Sequence, residues 1–172
     1  MTDPLTIYKL MILYMLKQVA FPLTNTQMLN YFLDREYTNY FTFQTALNEL
    51  ESSGFIYSES THNTSRYELT ESGSETLSFF IKNLTDSITK DIKDYLNENK
   101  LELRKESAVI SDYYKSTNQD YIVHCEVRED NATKFRVDIA VPTEKQARFI
   151  CSNWDRDYQE IYAFAMNTLS KS

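Results

Sequence analysis

The histidines and cysteines are the side chains in this sequence most able to do chemistry near neutral pH. There are two of each: His62, His124, Cys125 and Cys151. The two histidines lie far apart in the sequence. His124 and Cys125 are neighbours in a strand-like segment, so their side chains point to opposite faces. They therefore cannot share a metal ion or form a catalytic dyad.

Paired carboxylates are another common catalytic arrangement, and two close pairs occur, Asp155 with Asp157 and Glu126 with Glu129. Charged residues at such spacing usually form a solvated face, and we interpret both pairs in that way. A glycine-rich phosphate loop is not possible, because the chain has only two, isolated glycines. The sequence therefore predicts no enzyme, with no catalytic residues, no metal site and no cofactor.

The composition is that of an acidic protein with a packed core. The 172 residues are 42% hydrophobic and include 13 tyrosines, and the formal net charge is −7. Tyrosine tolerates contacts that are partly wet, so we expect a surface that self-associates and a homodimer. Two cysteines in apolar patterns are too few for a disulfide framework and predict reduced thiols in the cytoplasm.

The apolar N-terminal segment is predicted to be a buried helix and not a membrane signal. Asp3 is a suitable N-cap and Pro4 a suitable first residue for a helix that extends to about Val19. Lys9 and Lys17 interrupt the apolar run, and no basic leader or cleavage site accompanies it. We therefore expect no membrane span and no export.

Two more helices and a hairpin are predicted before residue 70. Thr24 and Gln27 form a capping box that starts the second helix, and Thr42 caps the third. Two strand-like segments joined by a polar turn follow. The predicted ranges are about 25–34 for the second helix, 42–53 for the third, and 55–60 and 65–69 for the strands.

The only two glycines, Gly54 and Gly73, mark demanding backbone positions in this region. Gly54 lies between the third helix and a strand, at the position where helices commonly end in a left-handed conformation. Gly73 follows Thr70, a good N-cap, in the first turn of the next helix. A glycine there lowers the helix propensity and indicates that another backbone or side chain packs close.

A long fourth helix is predicted from Thr70 to about Lys105, with a bend near residues 83–85. Its apolar residues keep to one helical stripe, which we interpret as a packing or dimerisation seam. The stripe consists of Leu77, Phe80, Ile81, Leu84, Ile88, Ile92, Tyr95 and Leu96.

Beyond residue 107 the apolar period becomes two, which predicts a β-meander. A hairpin with a three-residue turn over 130–132 fixes the register of its two strands. The inward pairs would be Val123 with Ile139, Cys125 with Val137 and Val127 with Phe135, and the outward pairs His124 with Asp138 and Glu126 with Arg136.

A further strand, 107–114, is predicted before this hairpin, with either Val109 or Ile110 facing inward. Thr143 caps the last helix, which we expect to lie across the buried side of the hairpin. A small-molecule pocket between the two is conceivable, although aromatic residues at helical spacing are usually core. The residues of that pocket would be Tyr121, Trp154, Tyr158 and Tyr162.

The most specific pattern lies between Leu47 and Gly73: Leu-x-x-Leu-Glu-x-x-Gly-Phe-Ile, followed by Tyr-x-Leu-Thr-x-x-Gly. It resembles the bacterial winged helix-turn-helix superfamily of transcriptional regulators, which includes the PadR-like and MarR-like repressors. This resemblance covers about residues 4–82. The whole chain is similar to an uncharacterised bacterial family, a domain of unknown function, which pairs such a winged helix with a strand-rich C-terminal module.

The predicted fold class is therefore α+β. An N-terminal winged helix-turn-helix domain is followed by a long connecting helix and by a C-terminal antiparallel β-meander packed on a long helix. The predicted boundaries are 1–82 for the first domain, 83–106 for the connecting helix and 107–172 for the C-terminal module.

The superfamily resemblance implies that the third helix enters the major groove of DNA and that the hairpin, called the wing, contacts the backbone or minor groove. Gln and Asn side chains can make bidentate contacts to adenine. Each implied contact taken alone could equally be ordinary solvated surface. Carried over by position, the helix contacts are Thr42, Gln44, Thr45 and Asn48, and the wing contacts are His62, Asn63 and Arg66.

The charge of the N-terminal region departs from the pattern of a DNA-binding domain. Residues 1–81 hold four Lys and Arg against nine Asp and Glu, a net charge of −5, and the third helix has no basic residue. Neutralisation of phosphates by Lys and Arg supplies nearly all non-specific DNA affinity. We therefore expect any DNA binding to be electrostatically weak.

Two functional hypotheses follow. The first is a DNA-binding transcriptional regulator that is dimeric through the first helix, the long helix or both. The alternative is a protein-interaction or ligand-sensing adaptor, which keeps the winged helix as a scaffold and does not bind DNA by itself. An acidic recognition face with exposed Tyr37, Tyr40 and Phe41 would favour the adaptor.

Overall fold

A computed structural model describes residues 2–172 and divides them into two compact units. The first unit contains the residues up to Ser60 together with Thr64–Ser107, and the second contains Thr61–Asn63 and Ala108–Ser172. Each unit combines helices with an antiparallel three-stranded sheet, which confirms the predicted α+β class. The segment predicted as a connecting helix, 83–106, lies within the first unit.

The first unit surrounds its sheet with helices. Its strands are ordered β1-β3-β2, and both neighbouring pairs are antiparallel. The helices are α1 (Pro4–Gln18), α2 (Asn25–Asp34), α3 (Tyr40–Ser52), α4 (Glu71–Phe80), α5 (Asp86–Glu98) and α6 (Lys100–Ala108), and the strands are β1 (Leu23–Thr24), β2 (Ile56–Ser60) and β3 (Ser65–Leu69).

Helix starts follow the predicted caps except at α3. Thr24 and Gln27 form the predicted capping box of α2. At α3, the Asn39 side chain accepts the backbone N–H of Thr42 at 2.9 Å, so the helix begins at Tyr40 and the prediction of Thr42 as its cap was wrong. Asn is as strong an N-cap as Thr, and here the earlier residue provides the cap. Tyr40 and Phe41 are therefore part of the first turn of α3.

Helix α1 is the centre of the first unit's core. Every residue from Leu10 to Leu16 is buried, on all sides of the helix. Residues of α3, α4 and α5 form one apolar cluster with it, among them Leu47, Leu77 and Ile92. In the single chain this part of α1 is therefore used for internal packing, and the dimer surface expected on the first helix stays a prediction.

Both glycines occupy the positions that the sequence predicted. Gly54 has φ +76°, and the N–H groups of Gly54 and Phe55 donate to the carbonyls of Glu51 and Leu50, both at 3.0 Å. This is a Schellman motif, which ends α3. At Gly73, an added Cβ would lie 1.9 Å from the carbonyl oxygen of Phe55. The predicted close backbone approach is confirmed.

The prediction of one long fourth helix was wrong. The segment is broken into α4, a 3-10 turn over 81–83, α5 and α6. Leu84 is extended, and the side chain of Thr85 accepts the N–H of Ile88 at 3.3 Å to start a new helix. The break lets the apolar stripe turn back onto the core, where Leu84 and Ile92 are buried. The stripe is therefore mainly internal packing, with Phe80 and Ile81 exposed.

The second unit is an antiparallel meander with strand order β4-β5-β6, and α7 packs on it. Its elements are β4 (Val109–Lys115), β5 (Tyr121–Glu129), β6 (Ala132–Val141) and α7 (Glu144–Leu169). All five predicted pairs between β5 and β6 are present. The turn itself is shorter than predicted, because only Asp130 and Asn131 lie between the strands, both with positive φ. A bulge at Val127 and Arg128 takes up the remaining residue and preserves the register.

Of the two residues that could face inward from β4, Val109 is the one that lies in the core of the second unit, together with Tyr113. Trp154 and Tyr158 pack in the same core, and the Tyr162 ring contacts the Phe135 ring at 5.4 Å between centroids. The aromatic residues considered for a pocket are thus packing residues, as the core interpretation predicted.

Both cysteines of the second unit are free and buried in this core. Burial raises the pKa of the Cys125 thiol to about 12, and the nearby Cys151 contributes to that rise. Burial also raises the pKa of Cys151. The thiolate is the reactive form of cysteine, so these surroundings disfavour both nucleophilic attack and oxidation.

Glu126 is not part of a solvated face, and that prediction was wrong. The residue is 3% exposed and accepts hydrogen bonds from Arg128 Nε at 2.8 Å and Thr133 Oγ1 at 2.6 Å, while His124 Nε2 lies 2.8 Å away. Burial opposes ionisation, but these hydrogen bonds outweigh it and lower the pKa of Glu126 to about 2. Arg136, its cross-strand neighbour, forms its ion pair with Asp138. Glu129 is exposed, as expected.

Among residues 2–172, no helix combines the length and the hydropathy that crossing a membrane requires.

Candidate nucleic-acid interface

The outer face of α3 is polar because its inner face is used for the core. Phe43, Ala46, Leu47 and Leu50 are buried at helical spacing. The opposite side of the helix therefore carries the four residues that the sequence assigned to DNA contacts. Thr45 and Asn48 are exposed, and Thr42 and Gln44 are partly exposed.

Three side-chain amides form a connected row on this face, which we call the amide row: Asn25, Gln44 and Asn48. Asn25 Nδ2 donates to Gln44 Oε1 at 3.3 Å, and Gln44 Nε2 donates to Asn48 Oδ1 at 3.2 Å. The hydroxyl of Thr45 instead donates to the carbonyl of Phe41 at 2.9 Å. The row holds Gln44 from both ends and leaves Asn48 at the surface.

Asn25 is a member that sequence reasoning missed. It is the first residue of α2, whereas Gln44 and Asn48 belong to α3. Only the packing of α2 against α3 brings it within reach of Gln44. An amide next to a capping box carries no sequence signal that would mark it as part of a site.

The first turn of α3 also presents two aromatic rings. Phe41 is 79% exposed and packs edge-to-face on the exposed Tyr40 ring, with 5.4 Å between centroids. Tyr37, whose exposure would also have favoured the adaptor, packs partly buried against the core, and its carbonyl accepts from Tyr8 Oη at 2.7 Å. The aromatic surface is therefore limited to Tyr40 and Phe41.

Arg66, expected as a wing contact, lies in the interior of the first unit. It is 7% exposed, and its Nε donates to the carbonyl of Ser107 at 3.0 Å. Its Nη2 also donates to the carbonyl of Glu106 at 3.5 Å. Arg66 is therefore not available at the surface to meet a phosphate.

His62 and Asn63, the other two wing residues, belong to the second unit. The His62 ring stacks on the Tyr113 ring at 3.9 Å, and its Nδ1 contacts the carboxylate of Asp112. Burial would raise the pKa of Asp112, but the hydrogen bonds from His62 lower it. Asn63 is exposed. The predicted site residues are thus divided between the two units.

All four basic residues of segment 2–81 have partners in the structure. Lys9 forms an ion pair with Glu49 at 3.1 Å, and Lys17 donates to Ser74 Oγ at 2.8 Å. Arg35 pairs with Asp91, and Arg66 is internal. These four cations are therefore already engaged.

Arg35 is held most firmly of the four. Its Nε donates to Asp91 Oδ2 at 2.7 Å, and its guanidinium lies over the rings of Tyr31 at 4.6 Å and Tyr95 at 4.9 Å. Tyr31 Oη donates to the same Asp91 oxygen at 2.5 Å. Burial would raise the pKa of Asp91, but these donors lower it. This cluster joins α2 to α5 and does not offer a free charge.

A surface cavity of about 350 Å³ lies between the C-terminal end of α1 and strand β3. Lys17 and Glu68 contribute its charged groups, and Leu16, Phe21 and Tyr67 contribute apolar walls. This volume is at the lower end of the range of small-molecule sites.

Comparison with known proteins gives one match. No curated protein and no solved structure matches the chain significantly. Residues 8–169 match the family described as Domain of unknown function (DUF4364). The matched range covers nearly the whole sequence and includes both units, in agreement with the predicted likeness to an uncharacterised family. The chain is a member of the DUF4364 family.

Proposed function

We propose that this chain is a cytoplasmic transcriptional regulator of the winged-helix type, which binds DNA as a homodimer through α3. The element order α1, β1, α2, α3 and the β2–β3 hairpin is that of a winged helix-turn-helix domain. The antiparallel order β1-β3-β2 is consistent with that assignment. The observation that carries the proposal is the amide row on the outer face of α3.

The amide row suits recognition of base edges in the major groove. An adenine presents an acceptor and a donor side by side, and a Gln or Asn amide matches both. Gln44 is held in place by Asn25, which reduces the side-chain entropy that binding costs. Phe41, one turn earlier, has the exposure needed to contact a thymine methyl group. The proposed preference is therefore for A·T base pairs.

Electrostatics contribute little in this proposal. Because the four basic residues of segment 2–81 are engaged, few phosphates are neutralised. Each neutralised phosphate adds about −0.9 to the slope of log affinity against log salt. We expect a negative slope shallower than about −4, with low affinity for non-specific DNA.

The test is fluorescence polarisation with genomic and random duplexes at low salt. On the best duplex, Gln44→Ala and Asn48→Ala should each weaken binding by about 1 to 3 kcal/mol, because a bidentate contact to adenine is lost. Asn97→Ala is the matched control, since Asn97 is exposed on α5, away from α3, and should leave the affinity unchanged. Absence of binding to every duplex, or binding without a negative salt slope, would refute the proposal.

A second candidate function is the interaction adaptor, and the exposed pair Tyr40 and Phe41 favours it. The pair lies on a unit whose first 81 residues carry a net charge of −5. An exposed aromatic pair on an acidic surface suits a protein partner better than a polyanion.

Pull-down from the protein's own cell extract, with and without nuclease, tests the adaptor. A partner that survives nuclease treatment and is lost with Phe41→Ser would support it. Phe149→Ser is the matched control, because Phe149 is also exposed but lies on α7 in the second unit. Loss of every partner after nuclease treatment would count against the adaptor and in favour of DNA.

A further inference from the structure

The second half of α7 is an exposed apolar helix. In the first half, Ala147, Cys151 and Trp154 are buried in the core of the second unit. From residue 155 to 172, a fully described segment, no side chain is buried. We call residues 158–169 the α7 tail; it is about 18 Å long at the rise of an α-helix.

The apolar stripe that packs on the sheet continues along the α7 tail. After Trp154 it proceeds at helical spacing through Tyr158, Ile161, Ala165 and Leu169. Ile161 is 41% exposed and Leu169 is 81% exposed. Phe164, at 72% exposure, widens the same face. Contiguous exposed apolar surface of this kind is uncommon on monomers and marks an interaction site.

The charge of the α7 tail indicates the kind of partner. Between Tyr158 and Ser170 the only charged residue is Glu160. The whole chain carries −7, so two copies repel each other unless they meet through a nearly neutral surface. The tail is such a surface. A helix that binds an anionic membrane would instead need basic residues beside its apolar face, and this segment has none.

We propose that the α7 tails of two copies pack against each other about a two-fold axis and form the dimer interface. In a two-fold contact the same patch serves both chains, so an apolar and nearly uncharged face is self-complementary. The inference deepens the homodimer of the proposed function, and it places the interface in the second unit, on neither α1 nor the α4–α6 segment.

Analytical ultracentrifugation of the full chain over a concentration series tests this interface. The wild-type chain should dimerise with a dissociation constant below about 100 µM. This affinity is modest because two helices of this length form only a small interface. Phe164→Glu and Leu169→Glu should each raise the dimer dissociation constant by about tenfold or more. Phe149→Glu, an exposed phenylalanine in the first half of α7, should leave it unchanged.

Two outcomes would overturn the inference: a wild-type monomer throughout the series, or tail variants that dimerise like the wild type. A monomer that floats with neutral phosphatidylcholine vesicles would assign the tail to a lipid surface and would also overturn it. Far-UV circular dichroism checks that the variants keep their helices. A wild-type dimer that binds no duplex would refute the DNA-binding function alone. A monomer that binds DNA would refute the interface and the homodimer, and would leave DNA binding through α3 standing.

Discussion

Replacing Gly73 with alanine is expected to lower the free energy of unfolding of the first unit by about 3 kcal/mol. The new Cβ would lie 1.9 Å from the carbonyl oxygen of Phe55 and 2.8 Å from Leu69 Cδ1. The same carbonyl accepts the N–H of Thr70 at 3.1 Å, and the Thr70 side chain caps α4. The first turn of α4 must move away, so both the hydrogen bond and the cap weaken together. Urea denaturation followed by far-UV circular dichroism measures the loss.

Gly54→Ala is the matched control for this substitution. Gly54 has φ +76°, but nothing lies within 4 Å of an added Cβ. The cost is therefore only the backbone strain of a left-handed alanine, about 1 to 2 kcal/mol. If Gly73→Ala is no more harmful than Gly54→Ala, the close approach of α4 to Phe55 is not a rigid feature of the protein.

The second large effect is expected at Glu126 in the other unit. Glu126→Gln keeps the shape of the side chain but removes the charge that Arg128 and His124 face. The loss of charge-assisted hydrogen bonds at a buried site should cost about 2 to 3 kcal/mol of unfolding free energy. Trp154, the only tryptophan and buried in the same unit, gives a fluorescence signal for its unfolding.

The pH dependence of this effect has a definite sign. The carboxyl of Glu126 has its pKa lowered from 4.5 to about 2 in the folded chain. Its contribution to stability is therefore fully present above pH 4.5 and is lost as the pH falls toward 2. We expect the difference in unfolding free energy between the wild type and Glu126→Gln to be constant above about pH 5 and to shrink below it.

Glu129→Gln provides the control on the same strand. Glu129 is exposed and its ion pair with Lys134, at 3.3 Å, is also exposed. Such a pair contributes about 0 to 1 kcal/mol, so the variant should follow the wild-type pH profile. If the difference in unfolding free energy between the wild type and Glu126→Gln stays the same from pH 6 down to pH 2, the charge of Glu126 does not stabilise the fold.

Local signals in the sequence predicted much of the fold correctly. The capping box of Thr24 and Gln27 fixed the start of α2, and the left-handed position of Gly54 fixed the end of α3. The β5–β6 register was predicted from the alternation together with an assumed three-residue turn. The turn is shorter, but the bulge preserves the predicted pairs, and a slip of one residue would move every apolar side chain to the wrong face. Each of these signals lies within a few residues of the feature that it predicts.

The errors occurred where a local pattern had two solutions. An apolar stripe with helical period fits one long helix or several short ones that fold back, and only the core around α1 selects the second. The charge pattern of Glu126 fits a solvated face equally well. Its burial depends on Thr133 across the hairpin, in addition to Arg128 two positions along its own strand.

The candidate site shows the same division. The sequence alone was enough to place Gln44 and Asn48 on one outer face of a helix, because the apolar residues that fix that face are three and four positions away. It also determined the acidic balance of the first 81 residues and the near absence of charge after Tyr158. Amino-acid composition and the periodicity of apolar residues are properties of the sequence and do not depend on tertiary contacts.

Only the tertiary structure decided which of these groups are available. From the sequence, Arg66 was predicted to be a cation of the wing, but it donates to the carbonyl of Ser107, 41 positions along the chain. Asn25 joins Gln44 across 19 positions, and no residue of α7 after Trp154 is fully buried, which leaves the apolar tail exposed. Burial depends on contacts between residues distant in sequence, and a local sequence pattern does not show which of those residues will be in contact.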